Sequence, residues 1–305
     1  MPHNDLYFRV ADATFRVHLT DIDDARPMLP SYAPFHQPDG CGEEELLFTM
    51  TVSDGAVPFV GRGTELGRFD CGDIIHNVFR TDDEGYRILM TDMAGRRRCA
   101  MDCGPQFRHC TATLYDGPDA CPTEMAFGLG NALMLAFAFA GAYHNILLMH
   151  SSVTMVGDDA YLFLGTSGTG KSTHSTLWRR HIEGADLLND DNPAVRVDTD
   201  GHVWVYGTPW SGKTPCYRNL RRSAKALVRL QQWPENVMHR LPAVAAFAEV
   251  VSSSSVMMWD KPSYDGIIAT ATAVVQHVPV FHLKCLPDAA AARLCRDTIA
   301  AAYGR

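Results

Sequence analysis

The sequence predicts an α/β protein, α+β overall, in which a smaller β-rich N-terminal domain (1–118) precedes a C-terminal domain with a mixed sheet (119–305). Three observations carry this. Short apolar runs punctuated by turn residues fill the first 118 positions. From "DGPDACPTE" onward, strand-length runs alternate with helical patterns. Third, "GTSGTGKS" occurs between a predicted strand and a predicted helix, the layout of a nucleotide phosphate loop.

The N-terminal runs are "LYFRVADATFRVHL", "ELLFTMTVSDG", "RFDCGDI", "YRILMTDMAGRRRCAMDC" and "HCTATLYDG", read as an antiparallel region. "MAGRRRCAM" reads as a hairpin with Arg96, Arg97 and Arg98 on a solvated strand. Past the boundary comes "AFGLGNALMLAFAFAGAY", eighteen residues without a charge. Its Ala- and Gly-rich composition and unanchored ends favour a buried helix over a membrane span. "ILLMHSSVTMV" and "AYLFLG" read as strands joined by a tight turn at Asp158 and Asp159, and "STHSTLWRRHI" as a helix. "ADLLNDDNPAVRV", "HVWVYGTPW" and "KALVRL" continue the sheet. Next come a helix at "PAVAAFAEVV", a second at "YDGIIATATAVVQH", the strand "VPVFHLKC" and a closing helix at "DAAAARLCRDTIAAAY".

Composition excludes some functions. A net charge of −8 opposes sequence-independent binding of nucleic acid, which depends on many cations meeting phosphates. Nine cysteines, an odd number, and the polar start "MPHNDLYF" point to reduced thiols and a cytoplasmic protein. "CAMDC" lacks the paired spacing that closes a tetrahedral zinc site. Nothing in the composition opposes a homo-oligomer.

In the phosphate loop, Gly165, Gly168 and Gly170 allow the backbone to wrap phosphate oxygens, with Thr166, Ser167, Thr169 and Thr173 completing the cradle. Lys171 supplies a cation and Ser172 is placed for the magnesium that accompanies ATP. Asp190 and Asp191 end the next apolar run, where one strand–loop–helix–strand unit would return them to the loop.

The order "MHSSVT", hairpin, "GTSGTGKST", "NDD" across residues 146–218 resembles the phosphoenolpyruvate carboxykinase and HPr kinase/phosphorylase superfamily. Carboxykinases carry "MHCSAN", a hairpin, "GLSGTGKTT" and "GDD" in that order. The resemblance implies that Lys171 contacts the β- and γ-phosphates and that Ser172 and Asp191 bind the nucleotide's Mg2+. It further implies that His150 serves a second divalent site suited to Mn2+, and that Asp190 is the base, also in reach of metal. "GTPWSGKTPCYRN" loosely resembles the carboxykinase "GGCYAK", so Lys213 or Arg218 would stabilise charge on the transferred group. The chain lacks the carboxykinase arginine-containing substrate region and the glycine-rich HPr-kinase signature after the aspartates. The resulting expectation is an ATP-dependent phosphotransferase acting on a hydroxyl of a small molecule or of a peptide or protein serine. The alternatives are a non-catalytic ATP-binding or sensing module and a carboxykinase-type lyase.

Overall fold

A computed structural model describes residues 5–54, 58–115, 122–212 and 214–304. It is a mixed α/β structure with two large mixed sheets. The chain divides into two compact units, 1–140 and 141–305.

The first unit contains β1 (Asp5–Val10), β2 (Ala13–Leu19), β3 (His36–Gln37), β4 (Leu46–Asp54), β5 (Thr64–Asp70), β6 (Ile74–Arg80), β7 (Tyr86–Asp92), β8 (Arg97–Cys103), β9 (His109–Leu114) and the helix α1 (Pro122–Gly141). The sheet runs β3-β1-β2-β4-β9-β8-β7-β6-β5. The tight β1–β2 turn places Ala11 and Asp12 at positive φ, the twist that a two-residue hairpin needs. Contrary to the antiparallel expectation, β4 pairs parallel with both β2 and β9. The cause lies in the connections: long excursions separate each of these pairs, and only a long crossover can bring strands together in parallel.

The apolar helix α1 belongs to this first unit, not to the second, so the division falls about twenty residues past the expected boundary at 119. Phe137 packs edge-on against Phe15 and Phe139 against Phe107. A Cβ on Gly128 would lie 2.7 Å from the Arg98 carbonyl oxygen, so helix and sheet touch backbone to backbone there. Pro122–His144 is the one stretch among the described residues long and apolar enough to cross a bilayer, with 61% of its most apolar window buried. Arg98 is buried too, which corrects its reading as a solvated residue. It pairs with Asp92 at 2.6 Å and with Glu124 of α1 at 2.8 Å, while Arg96 and Arg97 remain exposed. Burial pushes the Asp92 carboxyl upward, but the Arg96 N–H and the Arg98 and Arg96 guanidinium groups outweigh it and hold the carboxyl down at about 2.

The second unit contains β10 (Ile146–Leu148), β11 (Ser151–Val156), β12 (Asp159–Leu164), α2 (Lys171–His181), β13 (Ala185–Asp191), β14 (Ala194–Val197), β15 (Val203–Tyr206), β16 (Arg221–Gln232), β17 (Val237–Arg240), α3 (Ala243–Ser252), α4 (Lys261–His277), β18 (Val280–Cys285) and α5 (Ala289–Tyr303). Its sheet runs β10-β14-β15-β16-β12-β11-β13, with β18 parallel to β16 and β17 antiparallel to β18. Period-two alternation buries both faces. Leu162, Leu164, Leu227 and Val280 pack with α3 and α4, whereas Phe163, Val228 and Phe281 pack with α2 and α5. Asp158 lies in the β11–β12 turn as expected, but Asp159 already starts β12 and pairs with Lys225. β17 falls on "VMHR", a run too short and polar for its sequence to announce it.

Candidate functional site

Strand register assembles the site. Asp191 pairs with Ser151, Ser151 with Leu164, Leu164 with Arg229 and Arg229 with His282, so one cross-strand row traverses the end of the sheet where β12 gives way to the glycine-rich loop. This is the end at which parallel strands of open α/β sheets present ligands.

Within the loop, Gly165, Gly168 and Gly170 have φ of +143°, +81° and +100°, values that side-chain-bearing residues rarely adopt. The hydroxyl and N–H of Thr169 both close on the Thr166 carbonyl. Gly170 precedes α2, and the first helical bond runs from His174 N–H to Gly170 O, so the N–H groups of Lys171, Ser172 and Thr173 precede the intrahelical ladder. Gln232, at the end of β16, donates to Gly168 O and ties the loop to the sheet. Thr166, Ser167 and Gly168 are exposed at its tip.

Lys171 is buried, and its ammonium donates to His150 Nε2 at 2.8 Å, Gly165 O at 2.9 Å and Thr166 O at 3.4 Å. Burial lowers its pKa, and the nearby Asp191 and Asp190 carboxylates pull it back up. His150 Nδ1 lies 3.0 Å from Asp191 Oδ1. These two contacts fix the tautomer: Nδ1–H donates to the carboxylate and Nε2 accepts from the lysine.

The aspartates divide their contacts differently from the expected arrangement. Ser172 Oγ donates to Asp190 Oδ1 at 2.9 Å, not to Asp191. Asp190 is only 3% exposed, and its Oδ2 is buried without a partner. Asp191 is half-buried, contacts His150, accepts from the Asn192 amide and has φ +132°, a strained value for a residue with a Cβ. The cause is strand alternation: Asp190 opposite Ser152 and Asp191 opposite Ser151 are successive residues of β13, so their side chains leave opposite faces of the sheet and meet different partners.

Asn189, which the sequence alone does not single out, is fully buried and fixes the path of the chain beyond Asp191. Its amide donates to Thr208 Oγ1 and Trp210 O, its carbonyl accepts from Asn192 N–H, and Thr208 donates to Asn192 O. Ser211 and Gly212 then bond the Asp190 carbonyl, which holds segment 207–212 against the aspartates. An amide directly before two aspartates was the available signal.

Of the two expected cations from this segment, Lys213 lies outside the described residues. Arg218 pairs with Asp186 at 2.6 Å. Asp186 is four residues before Asp190, roughly 13 Å along the strand, so this contact draws Arg218 away from the loop and leaves the expected role unfulfilled. His174, beside the loop, is a core residue: it accepts from Trp178 Nε1, and burial lowers its pKa to about 4.

A scan against protein-family models finds no match to the chain, and a search of curated proteins finds none either.

Proposed function

We propose that the chain is an ATP-dependent phosphotransferase of the carboxykinase/HPr-kinase type, moving the γ-phosphoryl group to a hydroxyl of a small molecule or of a peptide or protein serine. The observation that carries this reading is the convergence of Lys171, Ser172, Asp190, Asp191 and His150 around one glycine-rich turn. A structural turn would not bury a lysine on backbone carbonyls or leave a carboxylate oxygen unpartnered.

Phosphate oxygens entering the loop meet the N–H groups at the start of α2, and the Lys171 ammonium exchanges its carbonyl contacts for them. Asp190 and Ser172 fit a divalent cation, since two hard oxygens face each other and Asp190 Oδ2 lacks a donor. The magnesium that travels with ATP supplies charge neutralisation between the phosphates. Asp191, oriented by His150 and Asn192 and open to solvent, takes the acceptor's proton. The acceptor oxygen bonds to the γ-phosphorus, the bond to the bridging oxygen breaks, and ADP departs with that electron pair. This assignment exchanges the roles that the resemblance implied for Asp190 and Asp191. A second metal at His150 requires Nε2, which becomes free once Lys171 turns to the phosphates.

A non-catalytic ATP sensor is the alternative. Calorimetry with magnesium-ATP, followed by an assay for ADP, separates the two. Binding with ADP formation that Asp191→Asn abolishes supports transfer. Binding without any ADP selects the sensor, and absence of binding removes both.

A further inference from the structure

The cross-strand row does not end at the phosphate loop. Beyond Leu164 it continues to Arg229 on β16, His282 on β18 and His239 on β17. Directly paired residues project from the same face of a sheet, and neighbouring strands are about 4.8 Å apart. Arg229 therefore stands one strand from the residue that precedes Gly165, and His282 stands two. Asp191 occupies the other end of the row, with Ser151 between it and Leu164.

Arg229 is not neutralised in the way of a structural arginine. Among the described residues its one acceptor is Glu249 of α3, reached through Nη1 at 2.6 Å. Its Nε is buried without a partner, and a third of the side chain remains open to solvent. His282 Nε2 is likewise buried and unpartnered, with the His239 ring 5.4 Å away. Lys284, two residues along β18, holds its ammonium 4.7 Å above the Trp233 ring, and among the described residues it forms no ion pair with a carboxylate. Burial lowers the His282 pKa, and His239, Lys284 and Arg229 lower it further against Glu249, so the field here is positive despite the chain's net charge of −8. Unused donors in a positive field beside a phosphoryl-transfer site suit an anion.

We infer that Arg229, with His282 and Lys284, forms an anion subsite that holds a carboxylate or phosphate group of the acceptor while its hydroxyl faces the γ-phosphate. The inference rests on the phosphotransferase reading and narrows it: the acceptor is itself an anion. Glu249 occupies Arg229 in the absence of that group and is displaced, or shares the guanidinium, when it binds.

The test uses the full chain carrying Lys171→Ala, which weakens the competing phosphate site, titrated calorimetrically with inorganic phosphate and separately with malonate. At least one of the two binds, and the preferred one identifies the acceptor's anionic group. Adding Arg229→Met weakens that binding tenfold or more. Adding Glu249→Gln tightens it several-fold, because the guanidinium loses its competitor; this variant keeps the test decisive if Arg229→Met fails to fold. Absence of binding by either anion, or an affinity that Glu249→Gln leaves unchanged, overturns the subsite. The two readings fail separately. ADP formation by the wild type together with an indifferent Glu249→Gln removes the subsite and leaves the transferase. Anion binding that follows Arg229 and Glu249 in a chain that binds no ATP removes the transferase and, with it, the acceptor role.

Discussion

Arg87 in the first unit and Lys171 in the second are both buried cations, but their surroundings differ in kind. Arg87 is fully enclosed: Nε donates to Val60 O, Nη2 to Pro58 O and Nη1 to both oxygens of Asp102. Lys171 has a neutral imidazole and two backbone carbonyls, and the nearby carboxylates are bonded elsewhere. The first is a charge closed on itself, which locks β7 against the chain around residue 60. The second is held in a buried place by contacts that a stronger acceptor can replace. A buried cation is thus informative about function through the quality of its partners rather than through its burial.

The sharpest way to probe the open site is to separate its two carboxylates. Asp191→Asn should keep magnesium-ATP affinity and lower phosphoryl transfer by about 10²–10⁴-fold, the usual contribution of a general base. Asp190→Asn should instead weaken the magnesium dependence of ATP binding. Equal defects in calorimetry and in turnover would show that the Ser172–Asp190 and His150–Asp191 pairings do not divide the work.

The closed site should respond in stability. Arg87→Met should cost about 1–3 kcal/mol in denaturant unfolding, because two backbone carbonyls lose their donor while the part-exposed Asp102 turns to water. A cost under ~1 kcal/mol would place Arg87 with the weak surface pairs instead.

Among the described residues, the buried histidines are His76 in the first unit and His174 in the second, each with a pKa lowered by burial from 6.5 to about 4. The folded state binds the proton less readily than the unfolded one, so the stabilisation is complete above about pH 6.5 and is lost as pH falls toward 4. On the order of 3 kcal/mol per histidine should disappear across that window. Unfolding midpoints measured from pH 7 to 4 check this, and His76→Gln should flatten the slope for the first unit alone.

The smallest expected effect belongs to Lys171→Met. Stability should change by less than ~1 kcal/mol, since a desolvated charge without a dedicated counter-ion is replaced by an apolar side chain of similar length. A loss as large as that of Arg87→Met would mean that Lys171 is structural, and the contrast between the two cations would collapse.

Much of the second unit could be read from local patterns. The glycine-rich loop is specified by glycines whose φ values only glycine adopts readily and by a helix starting directly after them, both properties of adjacent residues. The strands around it have enough apolar residues to be recognised one at a time. β17 is not legible because four partly polar residues carry little periodicity, and a helix apolar on most sides, such as α1, does not reveal in its sequence which sheet it will cover.

By itself, the sequence determined the glycine-rich turn between β12 and α2 and most secondary structure, because these depend on backbone preferences and on spacing within about thirty residues. Tertiary structure alone decided which aspartate meets Ser172, that Arg218 turns to Asp186, that Arg98 is buried against α1, and that Arg229 and His282 share a row with the loop. The physical reason is register. Moving a strand by one residue exchanges its faces, and the energy that selects the register comes from packing on both sides of the sheet, summed over residues far apart in the chain.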